Sequence, residues 1–215
     1  MIIGYGEDSL TYHVLTTQLR QFLDNVHAPN VLFDDVIFFY RPSFGRKTNI
    51  GEFDAIIGTQ THIYLIESKW HESNEVRRRA EEVILDVPQV RRHRRFSSLI
   101  NLWQTHEMES WDDLLELEDD IIVDGKIYDW KIPASNSKLA ANIQSVIVTL
   151  LNHAPNAIIK NIILLIHPEN INLFPNTPAD AQPTTQEDLE FELVKMTYTA
   201  MEFDGIPNQN RFFLF

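Results

Sequence analysis

The sequence predicts an α/β domain in which a central mixed β-sheet is flanked by helices, and three observations carry that expectation. Apolar residues at helical spacing open the chain, short runs dense in Val, Ile, Phe and Tyr follow, and a near-continuous apolar stretch, Asn161 to Ile166, comes after a second helical region. A continuous apolar run of that length suits a strand buried on both faces, which requires helices above and below it. With 215 residues, 44% of them hydrophobic and 23% charged, the chain has the size and composition of one globular domain spanning 1–215.

The elements are expected in this order. Asp8 or Ser9 caps a first helix, with Leu15, Leu19, Phe22, Leu23 and Val26 on one face and an end before Pro29. Val31 to Tyr40 reads as a strand that stops at Pro42. Phe53 to Ile57 and Ile63 to Ile66 read as a hairpin around Gly58-Thr59-Gln60-Thr61. Val76, Ala80, Val83, Ile84 and Val87 repeat at helical spacing, Pro88 marks a kink or a boundary, and Val90, Phe96, Ile100 and Trp103 continue a second helical stretch. Residues 107–131 read as an acidic insertion ending in a β-hairpin around Asp124-Gly125. Lys138 to Leu151 is helical through Leu139, Ile143, Val146 and Leu150. After a Pro-rich loop from Pro168 to Pro183, Thr184 to Glu187 forms a capping box for a C-terminal helix and tail, 184–215, with Leu189, Leu193, Met196, Ala200 and Phe203 on one face.

There are no cysteines, which excludes disulfide frameworks, thiolate zinc sites and cysteine nucleophiles. No apolar run is long enough to span a membrane, and Met1-Ile2-Ile3-Gly4 lacks the basic start of a secretory signal, so the expected location is the cytoplasm. The net charge of −13 argues against broad adhesion to nucleic acid or anionic membrane. Sign is nonetheless segregated. Seven arginines, Arg77, Arg78, Arg79, Arg91, Arg92, Arg94 and Arg95, lie between Val76 and Phe96, whereas Glu107 to Asp124 holds nine carboxylates and no Lys or Arg.

Chemistry concentrates in Gly51-Glu52-Phe53-Asp54 and, across the hairpin turn, Ile66-Glu67-Ser68-Lys69. Alternate side chains of a strand share a face, so the hairpin can bring Asp54, Glu67 and Lys69 to one end. Burying such charges against apolar strands costs several kcal/mol per uncompensated ion, on the order of what a whole domain has to spare, so they need partners or a metal. Asp54 and Glu67 offer the hard oxygen ligands that Mg2+ or Mn2+ prefers, and Lys69 a point charge to orient water or offset charge developing on a phosphate.

This arrangement resembles the PD-(D/E)xK nuclease superfamily, and most of all its nuclease-related-domain and restriction-endonuclease-like branches. The resemblance covers Gly6 to Phe96 and implies a restriction-endonuclease-like fold. It implies Asp54 and Glu67 as metal ligands, the Ser68 carbonyl as a third, and Lys69 as the catalytic lysine. It further implies Glu7, at the start of the first helix, as an accessory carboxylate and Gln89 as a site-organising or phosphate-side residue. Trp70 is followed by His71-Glu72-Ser73, without the glycine-containing turn common in the nuclease-related branch.

Two other acidic-x-Lys triplets, Asp124-Gly125-Lys126 and Asp129-Trp130-Lys131, belong to the acidic hairpin and read as solvated charges. Arg91, Arg92, Arg94 and Arg95, together with Arg46 and Lys47, are candidates for contacting a nucleic-acid backbone. Histidine-zinc spacing and Gly-rich phosphate loops are absent from the sequence. The expected function is a Mg2+-dependent nuclease, with DNA as the expected substrate; the alternatives are an inactive nuclease-like binding or regulatory subunit and a plain α/β interaction protein. The assembled state, a homodimer or a larger defence or repair complex, stays open.

Overall fold

The computed structural model describes residues 3–45, 50–77, 82–117, 132–169, 189–199 and 212–214. Strand β1 (Ile3–Tyr5) leads into α1 (Gly6–Thr17) and α2 (Leu19–Asn25). A 3-10 turn (Phe33–Asp35) precedes β2 (Ile37–Tyr40), β3 (Ala55–Gly58) and β4 (His62–Trp70). Two short strands, β5 (Val76–Arg77) and β6 (Glu82–Val83), are followed by α3 (Val87–Thr105), α4 (Trp111–Glu116) and α5 (Lys138–His153). The chain closes with β7 (Ile158–Pro168), β8 (Glu192–Tyr198) and β9 (Phe212–Leu214).

Five strands form one open mixed sheet in the order β2-β3-β4-β7-β8. The first three pair antiparallel, and β4, β7 and β8 pair parallel, β4 and β7 being joined through α3, α4 and α5. The α/β class with a helix-flanked mixed sheet is therefore as expected. None of the described helices is long and apolar enough to cross a membrane.

Alternation along β4 decides which layer each residue serves. Tyr64 and Ile66 point to one face, where they join Ala55, Ile57, Ile162, Leu164 and Ile166 beneath Leu10, Val14, Leu15, Phe22 and Leu23 of α1 and α2. Ile63 and Leu65 point to the other, against Phe96, Ile100, Ile143 and Ile147 of α3 and α5. Strands covered on both faces have no use for polar alternation, which is why β4 and β7 read as continuous apolar runs. Parity then puts Glu67 and Lys69 on the α3 side.

Several expectations are corrected. The first helix is two, broken at Gln18, because polar Thr16, Thr17 and Gln18 leave no apolar residue to hold that turn against the sheet. The strand anticipated from Val31 is confined to Ile37–Tyr40, and Leu32 and Phe33 before it are exposed. The helix expected from Val76 is corrected at both ends: Val76 pairs with Val83 in a small antiparallel ribbon, and α3 starts only at Val87, with Pro88 in its first turn, where a missing N–H costs nothing. The C-terminal helix is overturned over 192–198, which is strand β8. Leu193, Val194, Met196 and Tyr198 are buried there in parallel pairing with β7, and that ladder outweighs their helical spacing.

The acidic segment also changes character. Its first part is helix α4, N-capped by Ser110 and packed through buried Trp111 and Leu114 against the α5 layer, so 107–117 is core-anchored and not a surface insertion. The hairpin around Asp124-Gly125 and the capping box at Thr184 lie outside the described residues.

Candidate active site

The β3–β4 hairpin ends its register at Ala55 opposite Ile66, which sets Asp54 beside Glu67. Glu67 shares parity with Leu65 and lies on the α3 face, while Asp54, at a bend just before β3, is close enough to Glu67, Glu7 and Lys69 to interact with all three. Asp54 Oδ2 accepts a hydrogen bond from the Ser68 N–H at 2.7 Å. This bond locks the segment before β3 onto the β4 residue between Glu67 and Lys69.

Glu67 is the hub. Its Oε1 accepts from Gln89 Nε2 at 2.6 Å and from Lys69 Nζ at 3.2 Å, and its Oε2 accepts from Arg92 Nη2 at 2.5 Å. Gln89, Arg92 and His93 stand at i, i+3 and i+4 on α3 and therefore share the face turned to the sheet. The same spacing puts Arg91, Arg94 and Arg95 on the opposite side of the helix. Gln89 is held in turn by the Asp86 N–H, which donates to its Oε1 at 2.9 Å, so the residue that starts α3 also orients the site.

Glu7 arrives from the other layer. Gly6 has φ +69, a left-handed conformation that turns β1 sharply into α1 and places Glu7 in the first helical turn. The Glu7 carboxylate accepts from the Trp70 N–H at 2.6 Å, at the end of β4. Its position thus reflects more than attraction to a helix N-terminus.

The electrostatics follow from crowding three carboxylates into low dielectric. Burial, then the Glu67 carboxylate, pushes the Asp54 carboxyl up to about 8, against a relief from the Ser68 N–H. Burial likewise raises Glu7, partly offset by Lys69. For Lys69, burial alone would lower the pKa, but the neighbouring Glu67, Glu7 and Glu75 outweigh it and the net direction is upward. Lys69 therefore stays an ammonium, suited to holding charge or a water oxygen and unsuited to removing a proton. His93 is fully buried; burial and adjacent Arg92 push its ring down to about 3, so it is neutral. Its Nδ1 lies 3.0 Å from Asn161 Oδ1 and its Nε2 4.0 Å from Glu67 Oε2.

The structure thus gathers Asp54, Glu67, Ser68, Lys69, Glu7, Gln89 and Arg92 at one place. Arg46 and Lys47 lie outside the described residues. His93, which the sequence places only near the site, is drawn in one turn after Gln89, and Glu75, 3.6 Å from Lys69 Nζ, is a participant the sequence reading missed. Among the described residues no group of three His, Asp or Glu side chains forms a ready cation cage. Two adjacent carboxylates with a raised Asp54 still suit a hard divalent ion. Mg2+ takes one or two protein carboxylates and fills its remaining positions with water and substrate oxygen.

No family model, curated protein or solved structure matches the chain.

Proposed function

We propose that the protein is a Mg2+- or Mn2+-dependent phosphodiesterase of restriction-endonuclease-like architecture that cleaves nucleic acid, with DNA as the first substrate to test. One observation carries this reading: Asp54 meets the buried Glu67–Lys69 pair at the end of an antiparallel hairpin, where simple strand packing gives no reason for such a pair beside a further carboxyl. Asp54 and Glu67, with the Ser68 carbonyl, would hold the cation, which supplies Lewis acidity at a phosphate oxygen. Lys69, kept protonated by its carboxylate neighbours, positions the attacking water and offsets negative charge on the phosphate. Gln89 orients Glu67, and Arg92 supplies a fork that fits a phosphate. Glu7 fixes the end of β4 through Trp70.

A second reading is favoured by a specific feature: Glu67 already has three donors, and the protein carries a net charge of −13, both of which suit a nuclease-like binding or regulatory subunit without turnover. The deciding experiment measures Mg2+- and Mn2+-dependent cleavage of plasmid DNA, single-stranded DNA and RNA, with Lys69→Ala as control. Cleavage by the wild type that disappears in Lys69→Ala supports the enzyme; cleavage that survives it, or no cleavage of any substrate, sinks it.

A further inference from the structure

Both oxygens of the Glu67 carboxylate are engaged by protein donors, and the side chain is only 6% exposed. Oε1 carries the bonds from Gln89 and Lys69, and Oε2 carries the bond from Arg92. A carboxylate oxygen has two lone pairs, so Oε1 is filled and Oε2 keeps one. A dication using that last lone pair would share a buried oxygen with a guanidinium 2.5 Å away, and like charges in low dielectric repel strongly.

The three donors differ in their freedom to leave. Gln89 is pinned by the Asp86 N–H. Lys69 is 5% exposed and has Glu75 as a second partner. Arg92, 15% exposed, is more open than Lys69 and lies across the segment that leads into Asp54: its Nη1 is 3.4 Å from where a Cβ on Gly51 would stand, and its guanidinium is 5.5 Å from the centre of the Phe53 ring. Gly51, with φ +74, leaves the room this close approach needs. The buried Arg92 Nε has no acceptor among the described residues, so the fork keeps a spare donor.

We propose that Arg92 is a two-position latch. In the free protein it occupies Glu67 Oε2 and holds down affinity for a divalent cation. When a phosphodiester arrives, the guanidinium transfers to a phosphate oxygen, keeps an anionic partner, and releases Oε2 to the cation. Cation and phosphodiester then bind cooperatively, each raising the affinity for the other by the same factor, since binding couplings are reciprocal. The latch rests on the phosphodiesterase reading above and adds an order to it: the site is self-neutralised until substrate opens it.

The test is calorimetric titration of Mn2+ into wild type, Arg92→Gln and Arg92→Lys, each with and without dimethyl phosphate, a phosphodiester lacking base and sugar. Arg92→Gln is expected to bind Mn2+ about tenfold more tightly than wild type and to ignore dimethyl phosphate, whereas wild type tightens by a similar factor when dimethyl phosphate is present. Arg92→Lys, a point charge without the fork, is expected between the two. If Arg92→Gln does not fold, the wild-type coupling and Arg92→Lys decide. Equal or weaker Mn2+ binding in the variants, or no effect of dimethyl phosphate on wild type, overturns the latch. Mn2+ binding that requires Asp54 but ignores Arg92 removes the latch alone. Wild type that binds no Mn2+ under either condition, like Asp54→Asn, removes the metal site and the phosphodiesterase with it.

Discussion

Two ionic clusters stand side by side at the same end of the sheet, built from the same residue types, and they differ in burial. In the inner one, Glu67 meets Lys69, Gln89 and Arg92, with Glu67 and Lys69 almost sealed from solvent. In the outer one, Arg41 meets Asp8 and, through Nε at 2.5 Å, Glu52, and its side chain is 35% exposed. Arg41 directly follows β2, and its N–H donates to the Asp54 carbonyl, so barely one residue of sheet separates the two. The outer charges exchange water for one another at little net gain, whereas the inner ones have given up water and depend on their partners. Adjacent carboxylates can therefore serve as a chemical centre or as a rim, and depth decides which.

Four substitutions probe that contrast. Glu67→Leu should be the most damaging, because it leaves Lys69 and Arg92 buried beside Asp54 and Glu7 without their common partner; denaturant unfolding should show a loss of about 3–5 kcal/mol. A loss under about 1 kcal/mol would mean the inner cluster is as solvated as the rim. Lys69→Ala should lower the turnover of the proposed reaction by roughly 10²–10³ with KM nearly unchanged, as for removal of one preorganised charge acting in the transition state. A rise in KM alone would recast Lys69 as a ground-state phosphate clamp.

Asp54→Asn tests the inner cluster by pH. The folded-state value of about 8 lies above the ordinary 3.8, so the stability tied to the Asp54 proton is full below 3.8 and lost as pH rises through 8. His93 has the opposite sign, with stability present above 6.5 and lost as pH falls toward 3. Between pH 6.5 and 8 only Asp54 of the two is active, and metal-free wild type should lose about 1–2 kcal/mol more across that window than Asp54→Asn, which keeps only the smaller slope of the raised Glu7. Thermal melts in chelator at several pH values check this; parallel slopes for the two proteins would refute it. Smallest of all, Arg41→Ala should cost less than about 1 kcal/mol, and the cost should shrink further at high salt, which a salt series of the same melts would reveal.

The β3–β4 hairpin was legible because its signals are local: two apolar runs, a turn at Thr59 where side chain and backbone close on His62, and charged residues at fixed parity. Glu67 and Lys69 share a face by strand alternation, and Asp54 lies directly beyond the last register pair, so local signals bring the three close. Gln89 and Arg92 depend on where α3 begins. That boundary was open at Pro88, since proline suits either a kink or a first turn, and only docking of α3 on the sheet decides between them. β8 was read as a helix because Leu193, Met196 and Ala200 satisfy helical spacing; its pairing partner lies some thirty residues earlier in β7, and no window of sequence contains that contact. Glu75 is close to Lys69 in sequence, but its contact depends on how the chain turns after β4, which residue spacing alone does not specify.

The pairing of β1 with β9 has a kinetic meaning. Ile3–Tyr5, the strand immediately before Glu7, is held antiparallel to Phe212–Leu214, a contact between segments at opposite ends of the sequence. Loop-closure entropy makes such distant pairings late events, while a hairpin such as β3–β4 closes in microseconds, about 1–10 μs. As the chain is synthesised, Asp54, Glu67 and Lys69 can assemble long before residues 212–214 exist. The strand that leads into Glu7 pairs with residues made much later than the hairpin, so that pairing is completed after the hairpin charges are in place, and a chain stalled before residue 212 carries those charges without it.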